Sequence, residues 1–235
     1  MPGAATVILS RLQTLLGGIY DLGVDYDVYD FLVTDRANLP LEVRHRRCEE
    51  DLIIAEPVCE PQAGGQAERP AMQVSLYLDP ALIDRLARED PLQRLHGGNV
   101  ADRWAALEGV SHFLCVAWHA DHERPVSLLE LEMQAEVDKY VVSCLLLQRQ
   151  SPRRFPAELR RLLFDRARID PDLADGREAL YRRASRYAEK FCRGLERDLR
   201  SERIDAGQEV LARLRRFYRL PGARKLAHID STGAC

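Results

Sequence analysis

No Cys-x-x-Cys pair occurs in this sequence. Its six cysteines (48, 59, 115, 144, 192 and 235) stand singly, which argues against a zinc ribbon or a redox dithiol. A cytosolic chain keeps such thiols reduced, and Cys115, Cys144 and Cys192 fall in helical patterns where free cysteine acts as a small hydrophobe. Apolar runs such as Leu145–Leu147 fall far short of the roughly 20 residues a membrane span requires. The opening stretch MPGAATVILSRLQTLLGG has no basic region, and Arg11 interrupts its apolar run, unlike a signal peptide. The expectation is a soluble, cytoplasmic protein with no membrane partner. Also missing are a phosphate-cradling Gly-x-x-x-x-Gly-Lys, a Gly-x-Gly-x-x-Gly after a strand, a Gly-x-Ser-x-Gly elbow and any internal repeat. Lysine is scarce as well: residues 139, 190 and 225 only, against 31 arginines.

What is present is enough for a core. Hydrophobic residues make up 46% of the 235 and charged residues 30%, the balance of a folded globular chain. Only Cys59–Pro70, CEPQAGGQAERP, reads as too polar and glycine-rich to order well. The net charge of −3 is unevenly spread. Residues 1–150 carry 13 basic and 24 acidic side chains, whereas residues 151–225 carry 21 basic and 12 acidic. A basic back half attracts polyanions, or it docks on the acidic front half.

Periodicity divides the chain. An amphipathic helix is expected over residues 4–19. Strands are expected at Tyr26–Thr34, Asp51–Val58 and Met72–Asp79, the last two joined as a hairpin across Gly64-Gly65. Helices then follow over 80–89, opened by Asp79-Pro80, and from the Gly97-Gly98-Asn99 turn to about 119. Another runs from the Ser127-x-x-Glu130 capping box to about 150. The last three cover 157–166, 176–200 and 206–218. The fold class that results is α+β: a small N-terminal antiparallel sheet of about three strands within residues 1–79, a larger helical bundle over 80–225, and a tail at 226–235.

The chemistry-bearing residues lie in the two longest apolar helices. In WAALEGVSHFLCVAWH (104–119), Glu108, His112, Cys115 and His119 fall within an arc of roughly 60° at about 100° per residue. The surrounding residues are apolar, the mark of an interior helix. In the next helix Glu132 and Glu136 are one turn apart, with Lys139 and Ser143 on the same side. A short connection makes the two helices antiparallel neighbours, so Glu108, His112, Glu132 and Glu136 converge if the stripes face each other. Carboxylate and imidazole at that spacing suit a divalent metal (Zn, Mn or Fe) with a position open for water. Glu108, His112 and Glu136 are then the catalytic candidates, and the reading is a metal-dependent enzyme, such as a hydrolase, acting on a small molecule. The opposing reading makes the stripe a polar strip fixing helix packing, with a Glu132–Lys139 contact neutralising the acid and His119 and His122 solvated. An alternative function uses the arginines of the C-terminal helices, ARLRRFYRLPGARK (212–225) among them, in an adaptor that binds an acidic protein or nucleic acid. Set against it, charged runs on helices are usually solvated faces.

Overall fold

Local capping fixes where the long elements begin. The Asp79 side chain accepts from the Ala81 N–H, with Pro80 in the first helical position of α2 (Pro80–Arg88). Ser127 and Glu130 form a complete capping box at the start of α4 (Leu128–Gln150). Between them α3 (Val100–Asp121) runs through the interior, with Leu107, Val110, Phe113 and Leu114 almost fully buried. The computed structural model describes residues 4–46, 48–55, 72–152, 155–165, 177–200 and 206–232. The expected poorly ordered Cys59–Pro70 segment and the Gly64-Gly65 turn lie outside them.

The architecture is α+β, mostly helical, with one small sheet on the N-terminal side. Helix α1 (Ala4–Tyr20) packs on α2, α3 and α6. The sheet has strands β1 (Leu32–Val33), β2 (Glu50–Ala55) and β3 (Gln73–Leu78), in the order β1-β3-β2. β2 and β3 pair antiparallel, with Glu50 opposite Leu78 and Leu52 opposite Leu76, but β1 pairs parallel to β3. The sheet is therefore mixed, not wholly antiparallel. The expected strand over 26–34 shrinks to two residues because the Asp27 side chain accepts from the Tyr29 N–H and winds Val28–Phe31 into a 3-10 turn. A short polar side chain that bonds its own backbone competes with the ladder in this way.

In the C-terminal part, a π-helical turn at Arg161–Asp165 stands where a longer helix is expected. Helix α5 (Arg177–Arg200) lays Ala184, Ala188, Phe191, Cys192 and Leu195 against the core, packing mainly on α4. Helix α6 (Ala206–Tyr218) follows. Residues 226–232, expected as part of a tail, belong instead to α7 (Gly222–Thr232), anchored by the buried Ile229 and Lys225. Among the described residues no helix is long and apolar enough to cross a membrane.

Many arginines of the basic half are committed inside the fold. Arg215 donates from Nε to the Ile19 carbonyl and from Nη2 to that of Gly18, each at 3.0 Å, and Arg219 donates to the Asp21 carbonyl at 2.9 Å. These groups satisfy the open carbonyls at the end of α1. Arg213 bonds the Gly194 carbonyl and Asp198. Arg182, Arg193 and Arg200 pair with the glutamates one turn before them.

Candidate metal centre

α3 and α4 lie antiparallel, and polar groups meet along their seam. At one end Arg103 and Trp104 of α3 both donate to the Ser143 hydroxyl of α4. One or two turns further, Lys139 Nζ sits between Glu108 Oε2 at 2.6 Å and Glu136 Oε1 at 2.8 Å. Next, His112 Nε2 faces Glu132 Oε2 at 3.8 Å, and His112 Nδ1 faces Glu50 Oε1 at 3.7 Å. Glu50 comes from the start of β2 and reaches the helix because Gly109 lets the sheet approach. A Cβ on Gly109 would stand 2.7 Å from Leu76 Cδ1 and 3.0 Å from Glu50 Cγ.

The structure thus brings three of the four expected ligands together. One donor atom each from Glu108, His112 and Glu132 lie within 4.8 Å of one another. Glu136 is outside that group. Its Oε1 is bound to Lys139, because the two residues are one turn apart on the same helix and the ammonium lies nearer than the imidazole. Lys139 does not pair with Glu132, as the packing interpretation expects, but with Glu108 and Glu136. The sequence stripe also splits. The Cys115 carbonyl accepts from His119 Nδ1 at 2.8 Å, and the buried Cys115 and His119 take no part in the cluster. His122 is tied to the Trp118 carbonyl and stacks on the Trp118 ring.

Two members escaped sequence reasoning. Glu50 stands at a strand end on the same face as Leu52 and Ile54, and only long-range pairing places it on α3. Tyr181 sits on the amphipathic face of α5, near Glu132. Its phenol is raised by burial, with Glu132 and Glu108 adding to the effect.

The cluster is loosely satisfied and rich in acid. Four carboxylates face one ammonium and one imidazole. His112 Nε2, Glu50 Oε1 and Glu136 Oε2 are buried without a hydrogen-bond partner among the described residues, a condition native interiors mostly avoid. Burial alone would lower the His112 pKa, but the facing Glu50 carboxylate and the charges of Glu132 and Glu108 outweigh it and raise it to about 9. Burial pushes Glu132 up to about 7 against the pull of His112. Burial also raises Glu50, again opposed by His112. Glu108 shifts the other way: burial is outweighed by Lys139 and His112, which hold it low.

Comparison of the chain with protein-family models, curated proteins and solved structures returns no match. The fold and the cluster's chemistry are what bear on function.

Proposed function

We propose that the protein is a metal-dependent enzyme of the hydrolase type, with one divalent cation (Zn, Mn or Fe) held by Glu108, His112 and Glu132. The observation that carries this reading is the set of three donor atoms within 4.8 Å in a cluster whose buried His112 Nε2 has no hydrogen-bond partner among the described residues. His112 Nε2 and Glu132 Oε2, 3.8 Å apart, suit a shared ion at about 2.0–2.2 Å from each. The excess of buried carboxylates is a charge deficit that a dication offsets. Glu50 facing His112 Nδ1 supplies the acceptor that metal-bound imidazoles nearly always have. Lys139 fixes Glu108 from the far side and occupies the space a second ion would need, so the centre is mononuclear. Three protein ligands leave a position for water, where a metal generates a nucleophile near neutral pH. Glu136, with Oε2 unpartnered among the described residues, is the base for that water's proton.

The test is elemental analysis of protein purified without a metal-affinity tag, followed by melting with and without chelator. About one equivalent of metal is expected. Chelator should lower the melting temperature, as loss of any ligand specific to the folded state does. His112→Ala should abolish that response, and Glu50→Gln should weaken metal affinity about 10–100-fold. Metal-free protein whose melting ignores added Zn, Mn and Fe would overturn the reading. The adaptor reading rests on the basic excess of residues 151–225, and Arg213, Arg215 and Arg219 of that stretch are engaged within the fold.

A further inference from the structure

A second feature lies at the opposite end of α3. A cavity of about 620 Å³ opens between the α3–α4 turn, the start of α4 and the start of α7. Its walls are largely apolar: Pro125, Val126, Leu129, Leu220 and Leu226. Two buried polar residues border it, Glu130 and His119, at 7% and 4% exposure. Behind Glu130 stands Lys225, wholly buried, its Nζ 3.8 Å from Glu130 Oε1. Both of those atoms lack a hydrogen-bond partner among the described residues.

We propose that this cavity is a binding site for a small neutral molecule with an apolar body and a hydroxyl group. The polar atoms select the head group. Glu130 Oε1, on the wall, is an acceptor without a donor among the described residues. A ligand hydroxyl donates to it, while Lys225 stands behind the wall and its charge offsets that of Glu130. His119 spends its Nδ1–H on the Cys115 carbonyl, which leaves Nε2 as a further acceptor at the wall. Burial, with Lys225 and Arg124 nearby, lowers the His119 pKa against the effect of the Cys115 carbonyl, so the ring is neutral.

Charged ligands are disfavoured for stated reasons. The starts of α4 and α7 both border the cavity, and helix N-termini attract anions. Glu130 is already that anion. Its Oε2 accepts from the Ser127 N–H and hydroxyl, and its carboxylate fills the space a Cβ on Gly222 would take, 2.5 Å from Oε2. A second carboxylate would meet Glu130, and an ammonium would meet Lys225.

The experiment is a thermal-shift titration of the full chain with benzyl alcohol, toluene, benzylamine and benzoate at equal millimolar concentrations. Benzyl alcohol is expected to bind about fivefold more tightly than toluene, the worth of a net hydrogen bond, while benzylamine and benzoate give no shift. Ala223→Trp, at the exposed rim, should block both without altering the circular dichroism spectrum. The proposal is overturned by no response to any probe, by equal responses to all four, by a preference for benzoate or benzylamine, or by a benzyl alcohol response that survives Ala223→Trp. None of these outcomes depends on the chelator response, so the two sites stand or fall separately.

Discussion

Two polar clusters share the α3–α4 seam, and they differ in how completely they are satisfied. In the first, Asp138 of α4 accepts from the Tyr20 hydroxyl, from Ser111 Oγ at 2.6 Å and from Gln134 Nε2 at 2.9 Å, and Gln134 also reaches Tyr20. Its carboxylate bonds are all made within the chain. In the second, about a turn away, the His112 contacts stretch to 3.7 and 3.8 Å and three buried polar atoms stay unpaired. Burial and helix geometry are common to both. A network whose carboxylate is fully bonded fixes packing, and here Gln134 Oε1 alone stays unpaired among the described residues, against three atoms in the second cluster. A network with open valences and surplus charge has room for a cation, which is the basis of the proposed metal centre. The Asp138 cluster is accordingly read as structural, ranking α1 against α3 and α4, and the His112 cluster as the functional one.

The largest effect that would test this contrast is at Lys139. Lys139→Met removes the only ammonium between Glu108 and Glu136 and leaves two carboxylates facing each other. Breaking a buried pair costs about 3–5 kcal/mol, measured by urea unfolding. In the open cluster a divalent cation should restore much of that loss. At Asp138 no such rescue is expected. Asp138→Ala strands Tyr20, Ser111 and Gln134 together and should cost about 3 kcal/mol, with or without metal. If metal rescued Asp138→Ala equally, the distinction between the clusters would fail. Gly109→Ala comes next. Its Cβ would press on Leu76 and on the Glu50 stem, an overpacking expected to cost about 1–3 kcal/mol. It should also weaken metal binding, because Glu50 is displaced from His112.

Gly109 also shows what the sequence carries and what it hides. The helices, their caps at Asp79-Pro80 and Ser127–Glu130, and the inward turn of the Glu108, His112 and Glu132 side chains all follow from spacing along one or two neighbouring helices. Such information is local, and periodicity reveals it. Glu50 and Tyr181 are invisible to the same reasoning because they reach the cluster from β2 and α5, and nothing near them in the chain specifies α3 as their neighbour. A glycine inside an otherwise apolar helix is a signal of close approach, and Gly109 was the available hint that a sheet lies against α3. The parallel pairing of β1 was equally hidden, since a two-residue strand has no period to read. For Lys139, the sequence suggests a contact with Glu132. Packing decided it, giving the ammonium to Glu108 and Glu136 and leaving Glu132 to His112.

The smallest effect separates the clusters by pH. Burial, against the bonds from Ser111, Tyr20 and Gln134, holds the Asp138 carboxyl up at about 6, whereas an unfolded aspartate titrates near about 3.9. The folded state binds that proton more tightly, so stability from this group is complete below about pH 4 and is lost as pH rises through about 6. His112 is held at about 9, against about 6.5 when unfolded. Its contribution is complete below about 6.5 and is lost as pH rises through about 9. Glu132 of the His112 cluster, held up at about 7 by burial against about 4.3 when unfolded, falls between these two windows, and all three slopes run downward with pH. In metal-free protein, unfolding free energy measured from pH 4 to 10 should fall across the whole range. Asp138→Asn should flatten the part below about pH 6, and His112→Gln the part above about 6.5. Metal should act mainly above the Asp138 window, because the ligating Glu132 and His112 must give up their protons. Affinity for the ion should rise with pH across that window, and saturating Zn should flatten or invert the upper slope. A metal effect confined to the lower window would assign the ion to the Asp138 network instead, and the functional reading of the His112 cluster would go with it.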